Sequence, residues 1–130
     1  MAVALKELIA DAKKRVRALE PSQVKEQLEG GEIAVVLDVR EPAEYARGHL
    51  PGAVNIPRGM LELKADADSP VADERLTGSR DRNVVVYCLK APGARSLFAA
   101  DTLAQMGYEQ VAAMPAGLNG WADAGFDVES

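Results

Sequence analysis

Two short apolar runs constrain the fold more than any other feature of the chain. IAVVLDV occupies residues 33–39, and NVVVY occupies residues 83–87. Both runs are rich in β-branched side chains and lack a regular polar alternation, which is typical of strands buried on both faces. Helical patterns separate them from two shorter strand candidates, at 53–56 and 110–114. This alternation predicts an α/β domain with a small, mainly parallel β-sheet flanked by helices.

The first twenty residues predict an additional helix outside this pattern. Residues 3–19 form an amphipathic helix whose apolar positions share one stripe: Leu5, Leu8, Ile9, Ala12, Val16 and Leu19. Pro21 breaks it, and Ser22 is expected to cap a second helix over residues 23–29. We therefore divide the chain into an N-terminal amphipathic helix, residues 1–20, and an α/β domain, residues 21–130.

The other segments are predicted from similar signals. Helices are expected over the following ranges: 41–47, 59–65, 96–106 and 117–124. Residues 66–81 are polar and include Pro70 and Gly78, so this segment is predicted to be mainly loop.

Composition excludes several classes of partner. The chain has 130 residues with 48% hydrophobic side chains, which suits one domain with a real core. A formal net charge of −5 argues against nucleic acid as a partner, because phosphate binding requires a basic face. No apolar run approaches the ~20 residues of a membrane helix, and the charged N-terminal segment does not resemble a signal peptide. We expect no membrane partner and a cytoplasmic location.

Cys88 is the only cysteine, and it begins the loop CLKAPGARS directly after the second apolar run. One cysteine excludes an internal disulfide, and no Cys/His cluster indicates a metal site. Ligands of open parallel sheets bind at the carboxyl ends of the strands, where this loop lies. A helix follows the loop, so its free N–H groups point back toward Cys88. The loop is expected to form an anion cradle that stabilises a thiolate, built from Leu89, Lys90, Ala91, Gly93, Ala94, Arg95 and Ser96.

A lone cysteine beside a valine run also occurs as inert core. An ionised cysteine within a ring of N–H donors serves two chemistries, which are sulfur transfer through a persulfide and thiolate attack on phosphate or arsenate. The two differ in loop size, because a tetrahedral oxyanion needs more room than one extra sulfur. The residues alone leave both open.

Three segments, in order, resemble the signatures of the rhodanese family. LDVREPAEYARGHLPGAVNIP, residues 37–57, is similar to the first signature, and VVYC followed by GARS resembles the active-site strand and loop. MGYEQVAAMPAGLNGWADAGFDV, residues 106–128, resembles the closing signature. The resemblance implies a rhodanese-like domain over residues 21–130, with the N-terminal helix as an addition.

The resemblance also implies a sulfurtransferase of the thiosulfate type. Cys88 would take a sulfane sulfur from thiosulfate, polysulfide or a low-molecular-weight persulfide, and cyanide or a thiol would accept it. No cofactor and no metal are required. The resemblance places five further residues at positions that shape the site or line its entrance: Asp38, Arg40, Glu44, His49 and Arg58.

These five residues have expected roles of different kinds. Asp38 and Arg40 are interpreted as an ion pair that shapes the site, with Glu44 in the same charge network. His49 is interpreted as a structural histidine, and a general base is the alternative. Arg58 either attracts an anionic donor at the entrance or lies on the solvated surface.

The loop departs from the family pattern. Single-domain members usually have two residues between the cysteine and the glycine, whereas here residues 89–92 make four. Phosphatase and arsenate-reductase relatives place five residues between the cysteine and the arginine, and here there are six. Pro92 also lacks an N–H. Two alternatives to sulfur transfer therefore stay open: a phosphatase or arsenate reductase of the same fold, and a noncatalytic module that carries sulfur or binds a partner.

The N-terminal helix either packs on its own domain or contacts a second copy or a protein acceptor.

Overall fold

Five parallel strands form the centre of the computed structural model, which describes residues 2–130. The strands are β1 (Arg17–Ala18), β2 (Val35–Asp38), β3 (Val54–Asn55), β4 (Asn83–Tyr87) and β5 (Gln110–Met114). Their order across the sheet is β1-β5-β4-β2-β3, and all four pairings are parallel. The predicted α/β class and parallel sheet are confirmed. Because β4 lies between β2 and β5, the loop that follows it emerges near the middle of the sheet.

Seven α-helices and one 3₁₀ turn connect the strands over the part of the chain that the structure describes. They are α1 (Leu5–Lys13), α2 (Pro21–Glu29), α3 (Pro42–Arg47), α4 (Leu61–Ala65), α5 (Glu74–Thr77), α6 (Ala94–Gln105) and α7 (Gly117–Asp123), with the 3₁₀ turn at Arg58–Met60. Within residues 2–130, no helix has both the length and the apolar character that crossing a bilayer requires.

The side chains of β4 alternate between two cores, one on each face of the sheet. Val84, Val86 and Cys88 belong to the core that α1, α4, α5 and α6 cover. Val85 and Tyr87 belong to the opposite core, which includes Trp121 of α7 and a residue of α2. Cys88 and Tyr87 are neighbours in sequence, and their side chains therefore lie on opposite faces of the sheet.

The N-terminal helix is shorter than predicted. α1 ends at Lys13, and Arg17–Ala18 forms the edge strand β1. Pairing with β5 satisfies the backbone there, since the Leu19 N–H donates to the Ala113 carbonyl at 2.8 Å. The predicted helix was too long because Val16 and Leu19 are apolar at helical spacing, although they pack against the cores from this extended segment. Domain boundaries at residue 20 stay a prediction.

Only part of the apolar stripe of α1 is buried. Ile9 and Ala12 pack against the core, whereas Leu5 is 60% exposed and Leu8 is 48% exposed. Arg15 fixes the end of this segment to α6 through hydrogen bonds to Asp101 at 2.7 and 2.8 Å. α1 therefore packs on its own domain along one edge, and a contact of its exposed edge with a second copy or a protein acceptor stays a prediction.

One other local prediction differs from the structure, and a second is confirmed but omits a short helix. Ser22 does not cap α2, because the helix begins at Pro21 and Glu20 caps it together with Gln23. The segment 66–81, predicted as mainly loop, contains α5, whose first turn is capped by Asp73 accepting a hydrogen bond from the Arg75 N–H at 3.0 Å. A four-residue helix is too short to show a hydrophobic period.

Candidate active site

The loop between β4 and α6 surrounds a cavity of about 210 Å³. Cys88 lies in its wall, at the carboxyl end of the central strand, and is only 3% exposed. The rest of the wall comes from the predicted cradle together with Pro92: Leu89, Lys90, Ala91, Gly93, Ala94 and Arg95. Ser96 is not among the lining residues and lies in the first turn of α6.

Backbone N–H groups are the main polar groups of this loop. Of the loop amides that follow Cys88, six donate no hydrogen bond to another group within residues 2–130: those of Leu89, Lys90, Ala91, Ala94, Arg95 and Ser96. The Gly93 amide is engaged within the loop, because it donates to the Lys90 carbonyl at 3.0 Å across a turn that contains the cis Ala91–Pro92 bond. Unpaired amides next to a cysteine provide the hydrogen-bond donors that an anion on that cysteine requires.

The start of α7 holds the first two residues of the loop. The Leu118 N–H donates to the Cys88 carbonyl at 3.0 Å, and the Asn119 N–H donates to the Leu89 carbonyl at 2.8 Å. Gly117 has φ +65°, and a Cβ there would lie 2.6 Å from the Leu89 carbonyl oxygen. Only glycine allows the two segments to approach this closely.

The far end of the loop packs closely against the same segment, without a hydrogen bond to it among those found within residues 2–130. Gly93 has φ +77°, and a Cβ at this position would lie 2.7 Å from the carbonyl oxygen of Pro115. The loop is therefore anchored at both ends on the segment 115–119. Sequence reasoning missed these contacts, because residues of the two segments are distant in sequence.

Within residues 2–130, the Cys88 thiol has one side-chain hydrogen-bond partner. Its Sγ lies 3.6 Å from the hydroxyl of Ser96, and that hydroxyl donates to the Gly93 carbonyl at 2.9 Å. Both side chains are buried. Ser96 therefore links the Cys88 thiol to the glycine that ends the loop.

Arg95 is paired with Glu44 on α3. The guanidinium donates to the two carboxylate oxygens at 2.7 and 3.3 Å. These hydrogen bonds lower the pKa of Glu44 and raise the pKa of Arg95. The predicted cation of the cradle thus lies in the cavity wall with its charge partly neutralised.

Asp38 and Arg40 form a buried ion pair at the end of β2. The guanidinium donates to both carboxylate oxygens, with the shortest contact 2.7 Å, and also to the Gly48 carbonyl at 2.7 Å. Tyr87 completes this cluster, because its hydroxyl donates to Asp38 at 2.6 Å. Burial, followed by the Asp38 charge, raises the pKa of Tyr87. Tyr87 was missed from the sequence, although it ends the strand that pairs with Asp38.

His49 and Arg58 lie outside the wall of the loop cavity. The His49 ring stacks on Tyr45 with centroids 3.8 Å apart, and its Nδ1 lies 3.0 Å from the Tyr45 carbonyl oxygen. Arg58 donates to Glu62 at 2.9 Å and to the Thr102 hydroxyl at 3.0 Å. Among residues 2–130, no three side chains of the His, Cys, Asp and Glu types gather as a metal site requires.

A second cavity, of about 300 Å³, lies beside the loop between α3 and α7. Leu89 contributes to the walls of both cavities. The other lining residues come from α3, α7 and nearby segments: Arg40, Glu44, Arg47, Gly48, Leu118, Asn119, Ala122 and Val128. Glu44 in this wall and Arg95 in the first cavity bind each other, so their ion pair lies between the two spaces.

Comparisons with known proteins agree on one family. The family model described as "Rhodanese-like domain" matches residues 20–124. A protein named "Sulfurtransferase" from Allochromatium vinosum is 30% identical over 113 residues, which cover 87% of this chain and 94% of that protein. Sulfurtransferases are thus among the relatives that align over nearly their whole length.

Solved structures give the same fold. A protein of unknown function from Rhodopseudomonas palustris, described as a "possible tyrosine phosphatase", matches with a TM-score of 0.89 and 32% identity, covering 99% of this chain and 96% of that one. The thiosulfate sulfurtransferase of Pseudomonas aeruginosa matches with a TM-score of 0.75 and 28% identity. This second match covers 92% of the present chain and 21% of the longer protein.

Proposed function

Because the chain belongs to the rhodanese-like domain family, we propose that it is a sulfurtransferase that carries a sulfane sulfur on Cys88. The donor is thiosulfate, polysulfide or a low-molecular-weight persulfide, and the acceptor is cyanide or a thiol. The observation that carries this proposal is the position of Cys88, which lies in a cavity walled by its own loop and bordered by unpaired amides.

The reaction takes place in two steps. The Cys88 thiolate attacks the outer sulfur of thiosulfate, so that a bond forms between Sγ and this sulfur while the S–S bond of thiosulfate breaks and sulfite leaves with the electron pair. The acceptor thiolate or cyanide then attacks the outer sulfur of the persulfide. The Sγ–S bond breaks, and its electron pair returns to Cys88 as the thiolate.

The loop stabilises the charge that appears at each stage. A persulfide carries its negative charge one atom farther from the strand than the thiolate does. The amides of Leu89 to Ala91 and of Ala94 to Ser96 have no other partner within residues 2–130 and are available to both anions. The positive charge of Arg95, which Glu44 partly neutralises, also attracts an anionic donor.

Intact mass measurement tests this proposal. The protein is incubated with thiosulfate or glutathione persulfide and weighed, and we expect a gain equal to one sulfur atom that cyanide removes. The Cys88→Ser protein is the matched control and should gain nothing. Absence of the adduct in folded wild-type protein would contradict sulfur transfer by this route.

Attack on a phosphate ester is the second candidate. Six residues between Cys88 and Arg95 and a cavity of about 210 Å³ favour it, because a tetrahedral oxyanion needs a wide loop. The pairing of Arg95 with Glu44 acts against it, since the arginine would have to leave this carboxylate to bind the phosphate. Turnover of an aryl phosphate without a sulfur adduct would replace the first proposal by this one. If the protein forms no sulfur adduct and turns over no aryl phosphate, the noncatalytic module is favoured.

A further inference from the structure

The cavity between α3 and α7 contains an arginine with an unused donor. Arg40 lies in its wall and is only 2% exposed. Its Nε and Nη2 atoms bind Asp38 and the Gly48 carbonyl, whereas Nη1 has no hydrogen-bond partner among residues 2–130. No fully buried side-chain nitrogen or oxygen lacks a hydrogen-bond partner among residues 2–130, so Nη1 is reached by solvent and is free to donate to a ligand in this cavity.

A second cation stands at the same cavity. Arg47 lies three residues after Glu44 on α3, so the two side chains are on the same side of the helix. Arg47 is exposed and takes part in no ion pair within residues 2–130, whereas Glu44 is already occupied by Arg95. Arg47 therefore supplies the unpaired positive charge of this cavity, and Arg40, whose charge is balanced by Asp38, supplies an N–H donor that is not used within residues 2–130.

The remaining wall is mainly apolar and leads to the loop. Leu118, Ala122 and Val128 supply carbon surface, and Leu89 joins this cavity to the one that contains Cys88. A ligand with a short hydrocarbon chain and one anionic end is complementary to this wall. Its other end would lie on the side of Leu89, next to the residue that carries the sulfur.

We propose that this cavity binds the organic part of a small thiol that carries a carboxylate, with the carboxylate between Arg40 Nη1 and Arg47 and the sulfur directed past Leu89 toward Cys88. This inference rests on the proposed function, because it names the class of thiol that exchanges sulfur with Cys88. Guanidinium groups bind carboxylates through short charge-assisted hydrogen bonds. Cyanide, which has no hydrocarbon chain and no carboxylate, needs none of this surface.

Acceptor selectivity provides the kinetic test. Thiosulfate is the donor, and kcat/KM is measured with 3-mercaptopropionate and with 2-mercaptoethanol, which lacks the carboxylate. Arg47→Gln should lower the ratio of the first kcat/KM to the second about threefold, the size expected for one exposed ion pair. Arg82→Gln, which changes an exposed arginine elsewhere, is the control and should leave the ratio unaltered. An unaltered ratio in Arg47→Gln would overturn the inference.

Filling the cavity gives a second variant with a different signature. Ala122→Leu places a larger side chain in the wall at an exposed helix position, where leucine is tolerated. We expect kcat/KM for both thiols to fall about tenfold relative to kcat/KM for cyanide. Ala10→Leu on the exposed side of α1 is the matched control. A loss that is equal for thiols and cyanide would also overturn the inference.

A binding measurement separates this inference from the proposed function. The Cys88→Ser protein is titrated with 3-(methylthio)propionate, which has the hydrocarbon chain and the carboxylate but no thiol, and amide NMR signals are followed. Signals of Leu118, Asn119 and Ala122 should shift, and Ala122→Leu should abolish the shift. Failure of Cys88 to form a persulfide would overturn the proposed function alone, whereas unmoved signals would overturn the cavity assignment alone.

Discussion

The hydroxyl of Tyr87 donates a hydrogen bond of 2.6 Å to the carboxylate of Asp38, and the two residues stand opposite each other on neighbouring strands. The same hydroxyl accepts a hydrogen bond from the Leu50 N–H at 3.1 Å. Asp38, Arg40 and Tyr87 are all buried. One phenol therefore satisfies a buried carboxylate and a buried amide together, immediately before Cys88 in the chain.

Removal of this hydroxyl should be costly. Tyr87→Phe leaves the Leu50 amide without a partner and takes a donor from Asp38, so we expect a loss of about 2–3 kcal/mol in the free energy of unfolding. Tyr108→Phe is the matched control, because the Tyr108 hydroxyl makes one hydrogen bond, to the Ala65 carbonyl. Urea denaturation should show a loss of about 1 kcal/mol for this control. Equal losses in the two variants would contradict the double role of Tyr87.

The contact of Gly117 with Leu89 predicts an effect on both stability and sulfur transfer. Gly117→Ala combines a left-handed φ with a clash against the Leu89 carbonyl, so we expect a loss of more than about 2 kcal/mol and a displaced Cys88 loop. Gly125→Ala is the control, because Gly125 has φ +88° with nothing within 4 Å of its Cβ position. This control should lose about 1 kcal/mol and keep the rate of persulfide formation.

Ser96 offers a test of the polar environment of Cys88. Ser96→Ala removes the only polar side chain that lies, among residues 2–130, within hydrogen-bonding distance of Sγ. We expect persulfide formation to slow about tenfold, with a stability loss of about 1 kcal/mol. Ser79→Ala is matched, since Ser79 is also buried and donates to a backbone carbonyl, that of Arg75. It should lose similar stability without slowing sulfur transfer. An equal slowing of both variants would assign the effect of Ser96 to stability alone.

The pair of Glu44 and Arg95 predicts a pH-dependent contribution to stability. Because the hydrogen bond from Arg95 lowers the pKa of Glu44 from 4.5, the folded protein binds this proton less readily than the unfolded chain. The contribution is therefore fully present above pH 4.5 and is lost as the pH falls through the lowered pKa. Both groups are partly exposed, so solvent screening limits it to about 0.5 kcal/mol.

Denaturation of Glu44→Gln between pH 3 and pH 7 measures this contribution. The variant should be less stable than wild type at neutral pH, and the difference should disappear at the acidic end and shrink in high salt. Glu109→Gln, whose exposed carboxylate forms no ion pair within residues 2–130, should show no such trend. A constant difference across this pH range would exclude the ion pair as its source.

The sequence predicted the central strands well, because their signal is local. Val84 to Val86 and Val35 to Leu37 are apolar on both faces, and only a strand covered by helices on each side accepts such a run. The position of Cys88 at the carboxyl edge followed from the same reading. The edge strand β1 gave no such signal, since Arg17 and Ala18 are only two residues, are exposed and become a strand only through pairing with β5.

The arrangement around Cys88 was less predictable. The loop residues and the following helix were found because they are contiguous in sequence. The hydrogen bonds from α7, the ion pair between Arg95 and Glu44, and the wall shared through Leu89 join residues far apart along the chain. No pattern within one segment encodes these contacts, because they depend on how strands and helices pack.

The double anchoring of the loop makes its middle exchangeable. Cys88 and Leu89 are tied to α7, and Gly93 rests on Pro115, whereas the three residues between these anchors are exposed. Segments of other lengths can therefore be transplanted between Leu89 and Gly93 while the cysteine and the sheet keep their places. The length and composition of this one arc can therefore vary without a change in the scaffold that supports the thiol.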